Sequence, residues 1–334
     1  MSSVTRVPET ASWSGGELTA EDARQVLARY GRWRLAREAY SRFRYGDGFS
    51  HARAFALQSV LALVPLAIAT VGLGSVVHSD KVSEVIRRSL LGLTPGGSEG
   101  VVKQTLDKSA QQAGTGGQLA LWLGLLTAVV ALTTAMGQLE RGANRIYGIQ
   151  RDRPTLQKYS RAAAMSAVVG VPLMLGLLLI VAGGSVTDAV HRVYGTNAVV
   201  VDVVRWPLGL LLVLASVTAV LRWSPRRRQP GWSWLSFGAG VSLLLWLVFT
   251  GLLALYVAKS SSFGQVYGPL TGVIALLVWA NLTAAALFLG VAFAAQLEAV
   301  RAGVLDGAAE DPEQTRLRSH AATDLRHPAS SASA

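Results

Sequence analysis

The sequence predicts an all-α, polytopic membrane protein with about six transmembrane helices and both termini in the cytoplasm. Three observations carry that prediction. First, the chain of 334 residues is 51% hydrophobic and only 15% charged, with a mean hydropathy of +0.38; soluble domains carry about 25% charge. Second, long runs contain no charged residue, the clearest being Leu270 to Leu297. That run is about 28 residues, where about 20 suffice to cross a bilayer. Third, the surplus of cations (net charge +11) clusters in alternate loops. In a membrane protein this pattern marks cytoplasmic loops and attraction to anionic lipid rather than nucleic-acid binding.

The elements follow in order. Residues 1–18 are rich in Ser, Thr and Gly and read as disordered. Residues 19–46 form a basic amphipathic cytoplasmic helix, with Thr19 as N-cap and a break near Gly31. Its apolar positions are Val26, Tyr30, Trp33, Tyr40 and Phe43, amid seven arginines from Arg24 to Arg44. It either lies on the membrane surface or packs on the bundle by its aromatic side.

The membrane domain occupies 47–301, with spans at about 54–77, 118–136, 162–186, 203–221, 235–258 and 270–297. Pro65 lies inside the first span, where it frees a backbone carbonyl and can kink the helix. The extracytoplasmic loop 78–117 holds two short amphipathic segments. Arg205 and Trp206 mark the fourth span's interface, the arginine snorkelling outward. Gly264, Gly268 and Gly272 recur every four residues before and into the last span, a face for close helix packing or an oligomer contact. Residues 302–334 read as a disordered cytoplasmic tail. Summed by side, roughly 23 cations fall on the cytoplasmic loops and roughly 8 opposite.

No catalytic arrangement stands out. There are no cysteines, which excludes disulfides and thiolate chemistry. No phosphate-binding loop, dinucleotide fingerprint, zinc-protease motif or nucleophile elbow is present. His51, His78, His191, His320 and His327 fall on different sides or in the tail, so no metal site and no cofactor is expected. Glu140, Asp152 and Glu298 are candidate carboxylates, expected to pair with Arg141, Arg145, Arg151 or Arg301 at helix ends. Inside the membrane the polar inventory is thin: Gln58, Asn281 and a few hydroxyls. An ion-coupled pump needs a buried carboxylate or His, and no span carries one at depth.

Three blocks together resemble the YihY/BrkB family of bacterial inner-membrane proteins, known as envelope-integrity proteins or virulence factors and once labelled ribonuclease BN. The first is Asp47-Gly48 followed by Ala54 to Pro65. The second is Glu140, Asn144, Ile146-Tyr147-Gly148 and Arg153-Pro154. The third is Tyr267-Gly268, Leu277-Val278-Trp279 and Gly290 to Glu298. Leu57 and Gln58 stand where the family usually has paired tyrosines. Ala292 and Ala294 replace its inner Glu and Asn. The resemblance implies a six-helix fold in the bacterial cytoplasmic membrane and an envelope role. It supplies no catalytic residues.

The residues singled out are therefore Pro65, Glu140, Asn144, Arg145, Trp279, Asn281 and Glu298. Three functions follow as alternatives. One is an envelope-integrity protein that moves a lipid or amphipathic precursor, with anionic membrane lipids as partners. The second is a non-transporting scaffold, oligomeric through the glycine face. The third is a ribonuclease, for which RNA hydrolysis would need clustered acid–base or metal ligands.

Overall fold

The computed structural model describes residues 4–9, 18–77, 104, 117–181, 198–259 and 271–304. The loop 78–116 (Gln104 apart), Gly264, Gly268 and residues 305–334 lie outside them. Among the described residues the architecture is helical: α1 Ala20–Tyr30, α2 Arg32–Tyr45, α3 Gly48–Val77, α4 Gly117–Ile146, α5 Thr155–Val181, α6 Ala198–Trp223, α7 Trp232–Lys259 and α8 Thr271–Arg301. Five of these, α4 to α8, are long and apolar enough to cross a membrane. α3 has 30 residues and no charge from Ala54 to Val77.

The six long helices close a ring. Each packs on its sequence neighbour, and α8 returns against α3. The connections from α4 to α5 and from α6 to α7 are short, which favours packing of those consecutive antiparallel neighbours. Large apolar side chains remain exposed along the outer faces, among them Leu57, Leu126, Val171, Leu211 and Leu252. In lipid that exposure costs nothing, and packing between the helices is left to small residues. The closest approaches occur at glycines. A Cβ on Gly290 of α8 would meet the Gly238 carbonyl of α7 at 2.4 Å, and one on Gly176 of α5 would meet the Gly209 carbonyl of α6 at 2.8 Å. Pro65, Pro172 and Pro207 all sit inside continuous helices.

α8 organises one end of the ring. At 31 residues it is about 46 Å long, against about 30 Å of hydrocarbon. Its C-terminal portion projects beyond the apolar zone, and α1 and α2 pack around that stem. Phe288, fully buried, fills the seam between α8, α3 and α4, against His51, Phe55 and the bare face of Gly142.

The break expected near Gly31 is present, and it splits the amphipathic stripe of 19–46 in two. Gly31 has φ +93, which ends α1 and starts α2 out of phase. A 3.6-residue period cannot pass through that break. Trp33 is consequently 91% exposed, while Leu35, Ala39, Arg42 and Phe43 face the bundle. Within the stretch expected to be disordered, residues 4–9 pack on the polar end and Val7 is buried. Thr19 caps α1 as expected, its N–H donating to Asp22 Oδ2 at 3.0 Å.

Candidate functional site

The polar end of the ring is built where α4 and α8 finish, α5 begins, and the α6–α7 loop turns. Its side chains form two linked networks.

The first joins α4, the α4–α5 loop and the α6–α7 loop. Glu140 is buried and pairs with Arg153 at 2.8 Å. Arg153 also donates to the carbonyls of Ser224 and Pro225 at 3.2 and 3.0 Å. Asn144, fully buried, uses both ends of its amide. Its Nδ2 donates to Asp152 at 3.2 Å, and its Oδ1 accepts from the Arg226 backbone N–H at 2.7 Å. Asp152 takes Arg141 at 3.3 Å and Lys158 at 3.5 Å. Burial pushes its carboxyl up, but Asn144, Lys158 and Arg141 outweigh that and hold it below its ordinary value. Arg226 closes the turn by donating to the Asp152 carbonyl at 2.7 Å. The end of α4 and the loop after it are thereby fixed to the distant α6–α7 loop by charge-assisted bonds.

The second network surrounds the stem of α8. Glu298 is fully buried and pairs with Arg227, whose side chain is 2% exposed. The Arg227 guanidinium stacks over the Tyr147 ring at 4.8 Å. It donates onward to the carbonyls of Val7 and Pro8 at 3.4 and 3.1 Å. Arg42 is fully buried and donates to Gln296 Oε1 at 2.8 Å, Thr5 O at 3.0 Å and Ile146 O at 3.3 Å. Gln296 passes the bond on to Glu38 at 3.1 Å, and Glu38 accepts from Tyr30 and Arg34. Burial is the main cause that lowers Arg42 to about 10. Tyr147 is pushed up, chiefly by burial and then by the Glu298 charge.

The residues singled out from sequence fall in different places. Glu140, Asn144 and Glu298 belong to these networks. The carboxylates keep pairing at helix ends, but two partners differ from those expected. Glu140 pairs with Arg153, and Glu298 with Arg227, while Arg301 takes Asp22 at 3.2 Å. Arg145 is half-buried at the same end, and its side chain makes no ion pair among the described residues. Pro65, Trp279 and Asn281 lie far along the spans. Pro65 is half-buried, Asn281 likewise, and Trp279 Nε1 donates to Thr250 Oγ1 at 3.3 Å between α8 and α7. Gly272 is buried. Arg205 sits over the Trp206 ring at 5.6 Å. Arg42, Gln296, Tyr147 and Arg227 were not singled out. The available signal was a Gln two residues before Glu298 in an otherwise apolar helix. Among the described residues no group of His, Asp or Glu is placed to hold a metal ion.

A sequence model of the family described as Virulence factor BrkB matches residues 39–315. A protein of Bacillus subtilis named putative ribonuclease-like protein YfkH is 22% identical over 259 residues, 76% of this chain and 91% of that protein. A UPF0761 membrane protein of Rhodospirillum centenum is 26% identical over 275 residues, 80% of this chain and 58% of that protein. Another, from Stenotrophomonas maltophilia, is 28% identical over 268 residues, 76% of this chain and 58% of that protein. The chain thus spans nearly all of the Bacillus protein but little more than half of the UPF0761 proteins. No solved structure matches it. The chain belongs to the BrkB family of membrane proteins.

Proposed function

We propose that this BrkB family member sits in the bacterial cytoplasmic membrane with its polar end inward. There it handles an anionic lipid or amphipathic envelope component, and so serves envelope integrity. One observation carries the reading: cations gather at one end of the helical ring, and some of them are not consumed by internal pairing. Arg145 is the clearest case: it is half-buried and makes no ion pair among the described residues. Arg37, Arg44 and Arg228 add exposed charge around it. Anionic headgroups are attracted to such a collar by about 1 kcal/mol per residue near the surface. The positive-inside rule supports placing this end in the cytoplasm.

A scaffold without transport is the second reading, favoured by the buried Gly272 and the tight glycine contacts between helices. The ribonuclease-like name of the Bacillus relative offers a third. It finds little support, because the carboxylates at the polar end are each engaged by arginine or lysine rather than grouped around a vacant centre. Native mass spectrometry of minimally delipidated protein tests the proposal. Retained anionic lipid that is lost in Arg145→Gln supports lipid handling. Only bulk annular lipid, identical in both proteins, shifts the reading to a scaffold.

A further inference from the structure

The second network contains buried polar atoms that it does not satisfy. Arg42 Nη2, the Tyr147 hydroxyl and both amide atoms of Gln229 are buried and make no hydrogen bond of normal geometry. These groups are neighbours. Tyr147 feels the charges of Arg42, Arg227 and Glu298, and Gln229 lies close enough to the hydroxyl to perturb it. Leaving a buried polar atom without a good partner is costly, so their grouping needs a reason. The charge balance is also uneven. Among the described residues Arg227 pairs directly with one carboxylate, Glu298, and Glu38 reaches Arg42 through the neutral Gln296.

What closes this centre is a strap, residues 5–8. It offers the two guanidiniums only backbone carbonyls, from Thr5, Val7 and Pro8. Among the described residues its further ties are one backbone bond, Val7 N–H to Tyr147 O at 3.2 Å, and the buried Val7 side chain. Gly148, at φ +75, lets it pass: a Cβ there would stand 2.7 Å from Arg6 Cα. Neutral carbonyls are poorer partners for arginine than an ionised oxygen, which forms shorter bonds of about twice the strength. The forked guanidinium is suited to phosphate in particular.

We propose that Arg42, Arg227, Tyr147 and Gln229 form a binding site for a phosphate group, and that residues 5–8 occupy it with their carbonyl oxygens until such a ligand displaces them. The phosphate comes from a lipid headgroup at the membrane surface or from a free phosphate ester. Only the lipid source rests on the function proposed above; the site itself stands on the two arginines and the orphaned donors.

The chain has no cysteine, so Arg6→Cys in the full-length protein carries a unique spin label on the exposed side of the strap. The labelled protein in neutral detergent is titrated with inorganic phosphate, glycerol phosphate and short-chain phosphatidic acid, with chloride at matched ionic strength as control. Saturable mobilisation of the label by phosphate, and not by chloride, is expected. Val7→Ser, which loosens the strap without touching the arginines, should tighten phosphate binding about tenfold, since ligand and strap compete. Arg227→Lys should weaken it about tenfold or more. Arg24→Gln, on the exposed face of α1 and outside both networks, should leave it unchanged. Mobilisation by all three phosphates assigns the site to the group itself; mobilisation by phosphatidic acid alone assigns it to the lipid headgroup. Equal mobilisation by chloride overturns the proposal. So does an immobile label in all titrations, with no tightening in Val7→Ser. A positive titration alongside a lipid-free native mass spectrum would keep the site and remove the lipid reading.

Discussion

Glu298→Gln should be among the most destabilising single-atom exchanges available in this protein. The replacement keeps the shape and removes the charge opposite Arg227, whose side chain is 2% exposed. Arg227 cannot shed its proton and cannot turn to solvent, because it also holds the Val7 and Pro8 carbonyls and the Tyr147 ring. An uncompensated buried charge of this kind costs about 3–5 kcal/mol. At about 2–4 °C per kcal/mol for a domain of roughly this size, the unfolding midpoint should fall by about 6–20 °C. Thermal unfolding in a mild detergent, followed by tryptophan fluorescence, reads this out. The double variant Glu298→Leu with Arg227→Met removes both charges, and should recover more than half of the loss. A fall under about 2 °C in the single variant, or a double variant no better than the single, would refute the argument that this pair is desolvated and coupled.

Three further outcomes follow from the packing and the charges. Gly290→Ala places a methyl 1.8 Å from Ser242 Oγ and 2.4 Å from a backbone carbonyl, whereas Gly251→Ala meets nothing within 4 Å. The first should lower stability by about 2 kcal/mol or more and the second leave it near wild type, by the same thermal assay. Phe288→Ala empties the seam between α3, α4 and α8 and should cost about 3–5 kcal/mol. Asp152 titrates below its ordinary value of 3.8 in the folded protein. Its contribution is therefore full above pH 3.8 and disappears as the pH falls through the lower folded value. Wild-type stability should drop faster than that of Asp152→Asn over that acidic window, in midpoints measured from pH 5 downward.

Much of the fold was legible because lipid imposes a simple rule. A span must be a long uncharged helix, and Ala54–Val77 and Leu270–Leu297 announce themselves in sequence. The polar end was legible only in outline. Glu140, Asn144 and Glu298 stand out as polar residues finishing apolar helices. Their partners do not, because Arg153 and Arg227 lie in loops whose return to the helix ends is set by tertiary packing. Arg42 shows the limit most clearly. It is one of seven arginines in a short stretch, and local pattern gives no reason to single it out. Gly31 resets the helical phase, and Gln296, 254 positions away, decides which arginine turns inward. The same reset explains why Trp33, assigned to the apolar stripe, is exposed while Leu35 is buried.

The lipid-handling role depends most on which side of the membrane holds the cationic end. Arg228 lies exposed in the α6–α7 loop at that end, and the native chain has no cysteine to confuse a label. In bacterial cells expressing Arg228→Cys, a membrane-impermeant maleimide should leave the protein unlabelled until the cytoplasmic membrane is opened, and then label it fully. Labelling through the outer face of intact spheroplasts would place the arginine-rich end outside, and would contradict both the orientation and the lipid-handling role built on it.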